Sequence, residues 1–207
     1  MYTIRITKNF VKRISKLSTK DQQAIKLKLE NMAKDPFSSP NCKKLKGYKT
    51  RLLDTRKTTP NFRLLEKEAV AIGGGCNHRF GLYDMIMLKD NHIDYCGGIE
   101  KAIIKAFDYV QAHHLNIKIE VETRSVADVQ KVMQTGKVDR IMLDNFTPEL
   151  ITEALKVING KYETEASGGI HLDNLEAYAA TGVDFISSGA IIHQAVSLDL
   201  SLKAIPL

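Results

Sequence analysis

The chain has 207 residues, of which 43% are hydrophobic and 26% charged, with a net charge of +6. That is an ordinary globular balance, long enough for one or two domains and a sizeable core. No apolar run approaches the ~18 residues of a membrane span, and the opening "MYTIRITKNF" has no apolar signal core. A cytoplasmic protein without a membrane partner is expected. Cys42, Cys76 and Cys96 show no CxxC spacing and read as reduced thiols.

Charge is unevenly distributed. Residues 1–50 carry 13 Lys and Arg against 3 Asp and Glu, a balance of +10, and the remainder balances at −4. Clustered cations can meet nucleic acid through its phosphates. A solvated lysine-rich surface explains the same charge, and nucleic acid is not the expected partner. In chain order, Tyr2, Ile4 and Ile6 alternate as in a strand. Phe10, Val11, Ile14 and Leu17 share one helical face. Ser18 with Asp21 resembles a capping box for a second helix carrying Ile25, Leu29 and Met32. "DPFSSP" breaks the chain before a basic linker, "NCKKLKGYKT". This strand–helix–helix segment cannot bury much apolar surface alone.

From Thr50 short apolar strands alternate with helical patterns. "RLLDT" precedes a helix near Arg63–Ile72. "MIMLKD" precedes one near Gly98–His114, and "IKIEVET" one near Val126–Gln134. "RIMLDNF" precedes a helix near Pro148–Asn159, "YETEASGG" one near Leu172–Thr181, and "FISSGA" closes the series. Six such strands with intervening helices predict an α/β fold, an incomplete barrel of about six parallel strands. Each strand ends in polar or small residues: Arg56-Lys57, Lys89-Asp90-Asn91-His92, Glu120 and Glu122, Asp144-Asn145, Ser167-Gly168-Gly169, Ser188-Gly189. In barrels the strand C-termini form the active face, so six polar ends in register predict one site.

The segment "DTRKTTP", Asp54–Pro60, places two cations side by side at such an end. With Arg79 and Lys89 it makes four cations in a short stretch, which calls for an anionic ligand because unpaired buried charge is costly. Glu120 and Asp144 end neighbouring strands and could hold ribose hydroxyls or magnesium. Neutralising the lysines is the plainer alternative, and Glu122 competes with Glu120 on the same face. "SGG" and "SSGA" offer backbone N–H groups to a phosphate. His193 follows "SGAII" within reach of that pocket. "GGG", Gly73–Gly75, lacks the spacing of a dinucleotide fingerprint.

The long motifs "LLDTRKTTPNFRLLEKEAVAIGGGCNHRFGLYDMIMLKDNHI", "EVET", "IMLDNF", "EASGGI" and "SSGAIIHQA" carry a resemblance. From about Thr50 to Pro206 the chain resembles quinolinate phosphoribosyltransferase, the decarboxylating family of NAD biosynthesis. The resemblance implies quinolinate and phosphoribosyl pyrophosphate as substrates, Mg2+ carried with the donor, and a homodimer or larger assembly. It implies that Arg56, His78, Arg79 and Lys89 hold the quinolinate carboxylates and that Lys57 meets the pyrophosphate. Glu120 and Asp144 would bind the ribose hydroxyls, with no direct protein ligand to the metal. Ser167, Gly168, Gly169, Gly189 and His193 would line the phosphate pocket. Residues 1–47 instead resemble the first half of a RelE/ParE-type toxin, where the family carries an α/β domain. The expected division is therefore 1–47 and 48–207, with transferase activity impaired by the loss of that domain. The alternative is an inactive fusion remnant whose basic N-terminal segment binds RNA or an antitoxin.

Overall fold

The computed structural model describes residues 44–196 and, ahead of them, residues 15, 18–20, 22 and 23. The expectation of a toxin-like strand and helical hairpin falls outside the described residues. From there on the element order alternates as the sequence pattern requires. β1 is Arg51–Leu53, α1 Arg63–Ile72 and β2 Met85–Leu88. Then come α2 Asp90–Cys96, α3 Ile99–Ala112, β3 Lys118–Thr123, α4 Val126–Thr135 and β4 Arg140–Asp144. α5 Pro148–Ile158, β5 Glu163–Ser167, α6 Leu175–Ala180, β6 Phe185–Ser187 and α7 Ala190–His193 complete the series. The short helices α2 and α7 were not anticipated: Lys89-Asp90-Asn91-His92 and Ser188-Gly189 read as polar strand ends, with no helix after the last strand. Lys89 N–H donates to His92 Nδ1 at 3.0 Å and closes the first turn of α2. Among the described residues, no helix is long and apolar enough to cross a membrane.

The strands form one parallel sheet in the order β1-β6-β5-β4-β3-β2, with helices following the strands. This is the expected incomplete barrel: β1 and β2 are the two ends of the order and share no ladder. Sequence chemistry sets the helix boundaries. Ser125 Oγ accepts from Asp128 N at 3.1 Å to start α4, and Thr147 with Pro148 starts α5. Gly97 and Asn159 end α2 and α5 in the left-handed region.

The strand period of two separates the faces. Ile119 and Val121 of β3 and Ile141 and Leu143 of β4 are buried in a cluster with Ile103 of α3, Val129 of α4 and Ile151 of α5. Burying each such side chain contributes about 1.5–3 kcal/mol, so stability resides between sheet and helices. The other face of the sheet is not apolar. Glu120 pairs in register with Arg140, which in turn pairs with Glu163. Glu120 and Glu165 are both 0% exposed.

The segment after α1 covers the edge of β1. Cys76 N–H donates to Leu52 O at 2.8 Å, and Asp54 N–H donates to Cys76 O at 3.1 Å. The reduced-thiol expectation does not hold for Cys76, which is disulfide-bonded. Spacing along the sequence says nothing about which sulfurs meet in space. Cys96 is free.

Candidate active site

A cavity of about 710 Å³ opens at the C-terminal ends of the strands. Arg56, Lys57, His78, Arg79, Lys89, Asp144, Ser167, Gly168, Gly169, Gly189 and His193 all line it. Eleven of the twelve residues singled out from the sequence are thus brought together. Glu120 is the exception. It is absent from the lining, and Glu122 takes its place. The register explains this. Glu120 sits level with Arg140, at the start of β4, whereas Glu122 is two residues nearer the mouth, level with Met142. Glu120 shares the inner face with Asp144 as expected but lies deeper, below the cavity lining, and the expectation that it opens into the site is corrected accordingly.

The cations converge without full neutralisation. Arg79 reaches Met85 O at 3.4 Å and Met87 Sδ at 3.5 Å. Burial and then repulsion from Arg56 lower its pKa, while Glu120 and Asp84 oppose the shift. Arg56 Nε is buried and has no hydrogen-bond acceptor. A buried guanidinium donor of that kind is satisfied by an incoming anion. Lys89 Nζ lies 3.4 Å from Glu122 Oε2. Burial raises the pKa of Glu122, with Lys89 opposing and Asp144 adding. Burial likewise raises Asp144, against the hydrogen bond from Asn145 and the charges of Lys89 and Lys57.

Asn145 was not given a role from sequence. Its side chain donates to Asp144 Oδ2 at 2.7 Å, and its backbone N–H donates to Ser167 O at 2.8 Å. It does so at φ 57, a conformation asparagine tolerates better than most residues. An asparagine directly after a strand-end aspartate was the available signal.

The two glycine loops are tight for different reasons. Gly168 has φ +94, and a Cβ there would lie 2.9 Å from the Asn145 backbone nitrogen. A Cβ on Gly189 would lie 2.8 Å from His193 Nε2 and 3.2 Å from Lys57 Cδ. Lys57, Gly189 and His193 therefore meet at one point of the cavity wall. α6 begins only at Leu175, so Gly168 and Gly169 form a loop and not a helix's first turn.

Beneath the cavity lies an ionic cluster. His78 Nε2 is 3.1 Å from Glu120 Oε2 and 3.3 Å from Glu165 Oε2, while its Nδ1 accepts from Arg79 N–H at 2.7 Å. Both ring nitrogens thus face protein groups. Burial works against the charged ring, but Glu165 and Glu120 outweigh it and raise His78 to about 9. The Arg79 N–H bond needs Nδ1 unprotonated, so it belongs to the neutral ring and opposes that rise. Arg140 lies 2.9 Å from Glu165 and 3.1 Å from Glu163. His78, Glu120 and Glu165 are close enough together to hold a metal ion. Arg140 and the imidazole already balance the two carboxylates, so the group does not fit a dication.

A second set of charges was missed from sequence. Lys67, the buried residue of α1, donates to Asp54 Oδ1 at 2.6 Å and to His78 O at 3.0 Å. Asp54 Oδ1 also accepts from His78 N at 2.7 Å. Burial lowers Lys67 and raises Asp54, and each charge opposes the other's shift. A lysine in "RLLEKEAVAI" reads as solvated, and no local signal marked it.

Strand ends that converge four cations, two carboxylates and two glycine loops on one cavity define an α/β-barrel domain with its candidate site at the strand C-termini. The chain belongs to the family of the quinolinate phosphoribosyl transferase C-terminal domain, whose model matches residues 38–203. It is 45% identical over 166 residues to the decarboxylating quinolinate phosphoribosyltransferase 2a of Nicotiana tabacum, covering 73% of this chain and 47% of that protein. It is 40% identical over 198 residues to the probable carboxylating nicotinate-nucleotide pyrophosphorylase of Bacillus subtilis, covering 96% of this chain and 61% of that one. The crystal structure of NadC from Streptococcus pyogenes matches with a TM-score of 0.71 at 45% identity, over 75% of this chain and 53% of that one. The chain spans about half the length of the Nicotiana relatives it matches.

Proposed function

We propose that this domain transfers the phosphoribosyl group of phosphoribosyl pyrophosphate to the ring nitrogen of quinolinate, with loss of carbon dioxide, giving nicotinate mononucleotide and pyrophosphate. The observation that carries the reading is the buried, acceptor-free Arg56 Nε beside Arg79 and Lys89 in one cavity. Three cations there suit a ligand with two adjacent carboxylates. His78 lines the same cavity, its ring 3.1 Å from Glu120 and 3.3 Å from Glu165.

Lys57, next to Gly189 and His193, faces the donor, with Ser167, Gly168 and Gly169 at its phosphate. Glu122 and Asp144 face the ribose. Breaking the anomeric bond builds positive charge on the ribose, which these carboxylates stabilise, and the leaving pyrophosphate builds negative charge beside Lys57. Mg2+ fits this donor set, because Glu122 and Asp144 offer oxygen atoms within a cationic wall and the ion retains phosphate and water ligands. When bound it would neutralise pyrophosphate charge.

A homodimer belongs to the same reading. Leu64 and Leu65 of α1 are 54% and 55% exposed, and Ile72 is 74% exposed. Light scattering tests it. The activity test is nicotinate mononucleotide formation by the purified chain with both substrates and Mg2+. Absence of product together with absence of quinolinate binding would reject the reading. The competing reading, a basic segment that binds RNA or an antitoxin, has no supporting observation among the described residues.

A further inference from the structure

Helix α1 buries only Lys67, and Leu64, Leu65 and Ile72 stand in solvent. Whatever those leucines meet in an assembly, within this chain α1 is held to the site by polar contacts. Its inner face carries two cations one turn apart, Arg63 and Lys67, which i,i+4 spacing places side by side. Arg63 Nε donates to Thr58 Oγ1 at 3.0 Å, one terminal nitrogen to Arg56 O at 3.3 Å and the other to Phe80 O at 3.2 Å. Lys67 donates to Asp54 and to His78 O. Each cation therefore touches both segments that carry the anion-reading residues, 54–58 and 78–80. Those segments flank the edge where β1 and β2 share no ladder.

We propose that α1 is a clamp, with Arg63 and Lys67 as positioning residues that hold Arg56 and Arg79 at the spacing a dicarboxylate requires. A buried ion pair contributes little net stability compared with an apolar pair of similar volume. What it supplies is direction. Asp54 Oδ1 alone takes both Lys67 and the His78 amide, so the two segments are tied at a single atom. The sheet supplies one tie, where Cys76 N–H donates to Leu52 O and Asp54 N–H to Cys76 O, but β1 and β2 do not pair, so beyond Cys76 the spacing of the two segments falls to α1 and Asp54.

The clamp rests on the cavity being a dicarboxylate site, and the experiment separates the two ideas. Arg63→Met and Lys67→Met are compared with wild type for Kd of quinolinate, Kd of inorganic phosphate at the β5 and β6 loops, melting temperature and amide exchange. Misplacing a binding group by about an ångström costs up to roughly a hundredfold, so quinolinate should weaken about tenfold or more in each variant. Phosphate binding should weaken less, within about threefold, because of the residues around the β5 and β6 loops only Lys57, beside Gly189, lies on a clamped segment. Arg63→Lys, which keeps one donor, should recover part of the loss. Amides of residues 55–58 and 77–80 should exchange faster while those of 167–170 do not. Equal weakening of both ligands, or a lowered melting temperature with unchanged quinolinate affinity, overturns the clamp. So does uniformly faster exchange. If wild type does not bind quinolinate, the substrate reading fails, and segment-selective exchange still decides the clamp. If Lys67→Met does not fold, Arg63→Met, at a half-buried position, decides between these outcomes.

Discussion

Glu120 and Glu122 lie two residues apart on one face of β3, and the structure gives them opposite expected phenotypes. Glu120 is 0% exposed and sits 3.1 Å from the His78 ring and 4.0 Å from Arg140. Burial and the neighbouring Glu165 raise Glu120 to about 7, so above that pH truncating it to alanine leaves buried cationic partners short of an anion, which costs ~3–5 kcal/mol. In a chain of this size that lowers the melting temperature by ~6–20 °C. Glu122 faces the cavity with Lys89 3.4 Å away, and the Lys89 side chain is 49% exposed. Breaking such a pair costs ~0–1 kcal/mol, so Glu122→Gln should melt within ~4 °C of wild type. If Glu122 holds a ribose hydroxyl, the same change removes a charged hydrogen-bond partner worth about 1.5–3 kcal/mol, or roughly ten- to hundredfold in donor affinity. Calorimetric titration with phosphoribosyl pyrophosphate and Mg2+, beside thermal melts, reads both quantities. A Glu122→Gln protein that binds donor normally, or a Glu120→Ala protein that melts normally yet loses donor, would refute the assignment.

Neighbouring positions carry the other predictions. Arg56→Ala should weaken quinolinate more than the donor and Lys57→Ala the reverse, each by about 1.5–3 kcal/mol, measured by titration with the separate ligands. Gly168→Ala forces a side chain onto φ +94 and against the Asn145 backbone, so phosphate binding should fall and stability drop by about 1–3 kcal/mol. His78 is raised from 6.5 to about 9, so its contribution to stability is complete below pH 6.5 and lost as pH rises through 9. Glu165 is lowered from 4.5 to about 2, with the anion favoured mainly by His78 against burial, so its contribution is lost as pH falls through 2. Melting curves should therefore decline on both limbs, and His78→Asn should flatten the alkaline one.

Much of the fold was legible because periodicity and strand-end chemistry agree. Helices over Val126–Thr135 and Pro148–Ile158 carry buried faces at helical spacing, and Ser125 and Thr147 mark their starts. The cavity lining was legible because parallel strands bring their C-terminal ends to one side, so polar residues distant in sequence become neighbours. Glu120 against Glu122 was not legible. The two share a face by period, and only the stagger of β3 against β4 decides which one reaches the mouth. Lys67 and Arg63 were hidden for another reason. A lysine or arginine on a helix is solvated far more often than buried, and the partners here lie in loops whose path a local pattern does not encode.

The inner face of the sheet explains why those hidden residues matter. A barrel filled by Val, Ile and Leu would hold its strands by area alone and leave their ends to loop geometry. Here the inner face carries Glu120, Arg140, Glu163 and Glu165, reached by His78 from the loop between α1 and β2. Ion pairs at 2.9–3.3 Å are directional where apolar contacts are not. Each link passes position upward: Arg140 fixes Glu165, Glu165 and Glu120 fix the His78 ring, and in the neutral ring His78 Nδ1 accepts from the Arg79 amide. Arg79 is thus held from inside the barrel by this chain and from outside by α1. A cation that must meet a carboxylate at hydrogen-bond distance needs that restraint more than it needs a more stable core, since an error of about an ångström loses most of the interaction.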